Sequence, residues 1–336
     1  MIKRPVPRKT ILLVIAVLVW GTWLLALGPQ FAFSNVVENW RITLTMVFGS
    51  MIAGATSVGG GAVAFPVFTK VLQIPPADAK VFSLAIQSVG MTAATITIWL
   101  TGIQVDWRIV RWGSVGGAFG IATGMLLLAP SLPPDVIKMS FSVMLASFAV
   151  TLLMLHRESV HQRHTLISSW SGRERSIILV AGFLGGIMSG LVGNGIDIFI
   201  FAAMVLLFRV CERVATPTSV ILMAFNAAAG LFVQVAVVRD FAPPVTDYWL
   251  AAVPVVVIGA PLGAIICSLM SRTTIANVLI GLILVELLSS LFIIQLRPLV
   301  LYTSLAMLVV FSTINYLMYR TRHYEVRMPG DLPHAA

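Results

Sequence analysis

Eight apolar stretches of membrane-crossing length follow one another along this chain, near 11–28, 81–100, 112–130, 136–155, 214–238, 248–270, 274–296 and 298–319. Two more, 42–72 and 177–208, are over 30 residues long and are broken in the middle by glycine. About 20 apolar residues in a helix span the hydrocarbon of a bilayer, so this succession uses up most of the 336 residues and leaves no room for a large soluble domain. Composition agrees. The chain is 58% hydrophobic and 10% charged, against roughly 45–50% and about 25% in soluble domains, and its mean hydropathy is +0.97. The expected fold class is an all-α polytopic membrane protein.

A net charge of +9 would suit a nucleic-acid partner if the bases formed one surface, but they sit in short clusters between apolar runs. Such clusters orient a chain in a membrane. Cys211 and Cys267 form no ligand set. Lys3, Arg4, Arg8 and Lys9 precede the run 11–28, as in a signal peptide. No small-x-small cleavage site follows, so the run reads as an uncleaved first helix.

The two glycine-broken segments decide the topology. If each crossed once, the 22 bases would divide 13 to 9 between the two sides of the membrane. If each is a hairpin that returns to its own side, there are about eight crossings and the division is 16 to 6. The second arrangement fits the positive-inside bias better and places both termini in the cytoplasm. The breaks also resemble each other. Ser57-Val58-Gly59-Gly60-Gly61 aligns with Leu191-Val192-Gly193-Asn194-Gly195 at an offset of 134, and downstream Ser83 pairs with Ser219, Trp107 with Trp249, and Gly116 and Gly120 with Gly259 and Gly263.

The chain therefore divides into a basic N-terminus and first helix (1–41), repeat 1 (42–155), a basic cytoplasmic loop (156–176), repeat 2 (177–296), and a last helix with a cytoplasmic tail (297–336). Each repeat is a broken hairpin plus three crossings, an odd number, so the second is inverted relative to the first. In secondary transporters, broken helices of inverted repeats meet at the substrate site. Their N-terminal amides favour an anion.

At these residues the chain resembles the TauE/SafE family, the sulfite exporter or sulfonate-uptake permease group. The resemblance rests on Gly54–Gly61 followed by Pro66, on the Ser-containing start of the next helix from Ala79 to Ser83, on Val105-Asp106-Trp107-Arg108, and on Ser189-Gly190-Leu191-Val192-Gly193-Asn194-Gly195. It covers about 42–296. It implies a secondary carrier of sulfite, sulfonates or sulfoacetate in a bacterial inner membrane. The second break departs from the first, with Asn194 and Asp197 where the first has Gly60 and Val63.

Candidate substrate contacts are the neutral polar and glycine positions of the two halves: Ser57, Gly59, Gly60, Gly61 and Gln87 in the first, Gly193, Asn194, Gly195, Ser219 and Asn226 in the second. Lys80 and Arg213 lie near helix ends, as interface anchors or as aids to anion binding. Asp197 and Glu286 are the carboxylates well inside the spans. A charge there costs about 3 kcal/mol on insertion scales, so each is a candidate proton carrier or a helix-bonding group. His156, His161, His164, His323 and His334 all lie outside the spans, and no metal or cofactor is implied.

The sequence has no His-Glu-x-x-His pair, no intramembrane Ser-His pair and no Walker loop, so neither an intramembrane protease nor an ATPase is expected. Expected partners are a small anion, lipid and protons as coupling ion, with a homo-oligomer open. An anion channel, or a carrier of a non-sulfur organic anion, is the alternative.

Overall fold

A computed structural model describes residues 8–57, 67–157, 166–167, 170–295 and 297–321. Twelve helices run through these residues: α1 Arg8–Leu27, α2 Pro29–Glu38, α3 Trp40–Ala55, α4 Pro76–Leu100, α5 Trp107–Thr123, α6 Pro134–Arg157, α7 Gly172–Val192, α8 Ile196–Ala202, α9 Glu212–Phe232, α10 Val245–Leu269, α11 Arg272–Ile293 and α12 Pro298–Arg320. Wider π-type turns occupy Val67–Val71, Gly124–Leu128, Ala203–Leu207 and Val233–Val238. The short helix α2, opened by Pro29, falls where the sequence suggested only a connection.

Nine helices among the described residues are long and apolar enough to cross a membrane. Contact register shows how they run. Trp20 and Trp23 of α1 donate to the carbonyls of Pro254 and Leu250, so α1 lies antiparallel to α10. The Leu250 carbonyl is the one that Pro254, having no N–H, leaves without a helical partner. Trp249 donates to Ala85 O and Gly90 abuts Val256, so α4 runs parallel to α10. On the other side, Asp106 N donates to Thr218 Oγ1 and Gly117 faces Asn226, so α5 runs parallel to α9.

Each hairpin arm packs along a helix of the other half. Thr43 donates to Ala251 O and Gly54 meets Ala260, so α3 runs parallel to α10, and therefore to α4. The chain between α3 and α4 must come back. Likewise Gly182, Gly186 and Gly190 of α7 meet Gly113, Gly117 and Ile121, so α7 runs parallel to α5 and α9, and residues 193–211 return through α8. Of the nine candidate spans, α7 is the one followed directly by a break and a short returning helix, as an arm of a broken hairpin would be.

Glycine makes these interlocks possible. A Cβ at Gly116 or Gly120 would lie 2.1 and 2.0 Å from the carbonyl oxygens of Leu179 and Phe183, and one at Gly263 would lie 2.0 Å from Met51 O. Small residues let membrane helices approach backbone to backbone. The pairs Gly54–Ala260 and Gly186–Gly117 are equivalent at offsets of 132 and 143. The helix packing therefore repeats two residues out of step with the glycine breaks, because five residues separate Gly54 from Gly59 and seven separate Gly186 from Gly193.

The second hairpin is tied to the bundle at its open end. Ser171 and Glu174 form a capping box on α7. Arg108 binds both oxygens of the Asp106 carboxylate, donates to Ile167 O and lies over the Trp170 ring.

Candidate functional site

The second break interrupts the chain between Val192 and Ile196. Gly193 has φ +88° and Gly195 has φ +152°, backbone that a residue with a Cβ adopts only under strain. Gly117 of α5 packs against Ile196, and Gly117 is ten residues into a 25-residue span, so the break sits near mid-depth, about 15 Å from the helix start.

Two amides of the break, Gly195 N and Ile196 N, are bonded to nearby side chains. Gly195 N donates to Asn194 Oδ1 at 3.0 Å and to Asp197 Oδ1 at 3.1 Å. Ile196 N donates to Ser189 Oγ at 3.1 Å. Asp197 is fully buried, and its second oxygen, Oδ2, has no hydrogen-bond partner. An anion that approached these amides would therefore compete with a carboxylate of the protein.

The carbonyl side of the break is held by the other half. Gln87 Nε2 donates to Gly193 O at 3.0 Å and to Ser83 Oγ at 2.6 Å, and Ser83 Oγ donates to the same carbonyl at 3.3 Å. Ser83 and Gln87 are four residues apart on α4 and so share one face. That face also lines a cavity of about 20 Å³, the room of one water molecule, whose walls include Ser50, Phe68, Phe82 and Val256. Polar contact between the halves and the small cavity thus share two side chains.

The other expected residues are spread around this centre. Asn226 is buried on α9, with its Oδ1 facing Gly117 and lacking a hydrogen-bond partner. Ser219 is buried but donates to Thr216 O in its own helix. Ser57 ends the first arm fully buried, its Oγ without a partner. Gly59, Gly60 and Gly61 lie outside the described residues, as do His161, His164, His323 and His334. The Lys80 carbonyl abuts Gly193, while the Arg213 guanidinium donates to Met270 O near a helix end.

Glu286 is not part of this centre. It lies on α11 against α6, bonded to Ser142 and Ser290. Two participants of the centre, Ser83 and Ser189, were not among the expected contacts, nor was Lys70, which pairs with Glu286 away from it. The first was signalled by its four-residue spacing from Gln87, and the last by being the one charge in the segment 42–72.

The family model described as Sulfite exporter TauE/SafE matches residues 42–289, most of the chain and both breaks. No match was found among curated proteins or among solved structures.

Proposed function

Because the chain belongs to the sulfite exporter TauE/SafE family, we propose that it is a proton-coupled secondary transporter of a small sulfur-containing anion, of the sulfite, sulfonate or sulfoacetate type. The substrate binds between the two broken hairpins. Repeat 1 is 42–155 and repeat 2 is 177–296, and the basic loop 156–176 and both termini face the cytoplasm at an inner membrane.

One observation carries the site. Ser83 and Gln87 reach from the first half to the Gly193 carbonyl of the second break, and the same pair lines the small cavity beside it. Hydroxyls and amides bind an oxyanion without a fixed charge, and these donors become available if the hairpin shifts and releases Gly193. Asp197 carries the proton: its Oδ2 is buried without a partner beside the break, and its neutral form admits an anion that its ionised form repels.

The test is uptake of labelled sulfite and of a sulfonate panel by proteoliposomes under an imposed pH gradient. Saturable uptake of one anion that collapses with the gradient is the expected result. Folded protein that moves none of these anions would overturn the proposal, and non-saturating flux would replace a carrier with a channel.

A further inference from the structure

Each broken segment holds a single charged residue, and the two have opposite signs: Asp197 in the second and Lys70 in the first. Lys70 lies on the returning arm of the first hairpin, in the π-type turn Val67–Val71, with a side chain that is 3% exposed. Its ammonium donates to Ser289 Oγ and Ser290 Oγ, both at 2.8 Å, and stands 3.8 Å from Glu286 Oε1. That same Oε1 accepts from Ser142 Oγ at 2.8 Å and from Ser290 Oγ at 2.9 Å. The other oxygen, Oε2, is buried with no hydrogen-bond partner.

One carboxylate oxygen therefore sits among two hydroxyl donors and an ammonium, an arrangement suited to any singly charged oxyanion. From α6 the other charged groups are Lys138, which acts electrostatically on Lys70, and Asp135, its partner at 3.5 Å. From α11 the charged group is Glu286 itself, and from the hairpin arm it is Lys70.

We propose that Lys70, Ser142 and Ser290 form a second oxyanion site on the transport route, filled by the Glu286 carboxylate when ionised and by the substrate's sulfo or sulfite oxygens when Glu286 is protonated. This rests on the reading of the chain as a carrier of such anions. The charge balance requires the coupling. Lys70 with ionised Glu286 is neutral, and adding an anion alone would leave an uncompensated negative charge in a dry site, which is costly. If a proton from water first neutralises Glu286, then Lys70 plus the anion is again neutral. Anion and proton enter together.

The position suits an entry site. Ser142 is eight residues from the start of α6 and Glu286 seven from the end of α11, so both lie about 10–12 Å from the same membrane face. Phe68, two residues before Lys70 on the same arm, lines the cavity shared with Ser83 and Gln87. Movement of that arm would be felt at both sites.

The test uses the purified full chain and methanesulfonate, a strong-acid anion whose charge does not change with pH, so any pH dependence belongs to the protein. Wild-type affinity is expected to fall by at least about tenfold per pH unit above the Glu286 titration, one such factor for each co-bound proton. Glu286→Gln, fixed in the neutral form, is expected to bind at least as tightly and to lose the Glu286 share of the pH dependence, keeping only that of Asp197. The double variant Lys70→Gln with Glu286→Gln leaves no unpaired charge, so it should fold, and its affinity is expected to drop about tenfold or more. Unchanged affinity in the double variant overturns the site. A pH dependence in Glu286→Gln as steep as in wild type overturns the role of Glu286 and leaves the coupling proton to Asp197 alone. Wild-type protein that binds neither methanesulfonate nor sulfite overturns the transport reading and this site with it.

Discussion

Replacing Gly120 by alanine tests the interlock of the two halves. The new Cβ would lie 2.0 Å from Phe183 O and 2.9 Å from its carbonyl carbon, both backbone atoms with no side-chain freedom to yield. Ordinary contact begins near 3.4 Å, so α5 and α7 would have to part by more than 1 Å, opening the contacts at Gly113, Gly116 and Gly124 along the same seam. Overpacking of this kind costs about 1–3 kcal/mol. Helix propensity opposes it, since alanine is better than glycine by up to about 1 kcal/mol. Gly281 on α11 has nothing within 4 Å of its would-be Cβ, so Gly281→Ala should show only that gain. The two variants should differ in unfolding free energy by roughly 1–3 kcal/mol, with Gly120→Ala the weaker. Gly263→Ala, 2.0 Å from Met51 O, should match Gly120→Ala, because it closes the equivalent seam between α3 and α10. The assay is the unfolding midpoint of purified protein in mild detergent. Equal midpoints for Gly120→Ala and Gly281→Ala would refute the argument.

Other outcomes follow from the site. Gln87→Ala leaves the buried Gly193 carbonyl with only the longer Ser83 bond, which should destabilise the fold by about 1–2 kcal/mol and lower transport; transport equal to wild type would remove Gln87 from the route. Asp197→Asn keeps an acceptor for Gly195 N, so the protein should fold, yet uptake should follow a pH gradient less steeply than in wild type; uptake as steeply gradient-driven as wild type would leave Asp197 a cap alone. With Cys211 and Cys267 replaced, cysteines at exposed Thr321 and Ser131 should react with a membrane-impermeant maleimide from opposite sides, Thr321 from the cytoplasm; labelling from one side would refute the eight-crossing topology.

The breaks were legible because their chemistry is local. Positive φ at Gly193 and Gly195 demands glycine, and a polar turn inside an apolar run shows in a single sequence. The glycine pairs Gly116, Gly120 and Gly259, Gly263 were legible as landmarks of a repeat, and their occurrence in helices pointed to close packing. Their partners were not legible. That α5 meets α7 and that α10 meets α3 depends on which helices the inverted halves exchange, and every long helix here is apolar enough to be anyone's neighbour. Glu286 shows the same limit: a carboxylate in an apolar helix announces a partner, but nothing near 286 in the sequence names Lys70 or Ser142. The polar contacts missed, Ser83 and Ser189, lie four residues before Gln87 and Gly193, and only the folded break shows that they face it.

The interlock also limits what moves. The seams of α3 with α10 and of α5 with α7 are closed backbone to backbone, so sliding there would drive glycine faces into carbonyls. Apart from the backbone contact of Gly185 with Ile196 inside the second hairpin, the returning arms are held by side chains: Lys70 to the serines of α11, and Phe199 against Phe311 of α12 with ring centroids 6.0 Å apart. Both arms contain a π-type turn, Val67–Val71 and Ala203–Leu207, a feature that often marks functional sites. Transport should therefore open by displacement of the arms while the seams stay shut. Cysteines at Phe199 and Phe311, joined by a short bifunctional thiol reagent, should stop uptake and recover it when the link is cleaved. The same link between cysteines at Trp112 and Arg175, where α5 and α7 meet at 5.8 Å, should leave uptake intact. If the Trp112–Arg175 link blocks transport and the Phe199–Phe311 link does not, the seams are the moving parts and the arms are the frame.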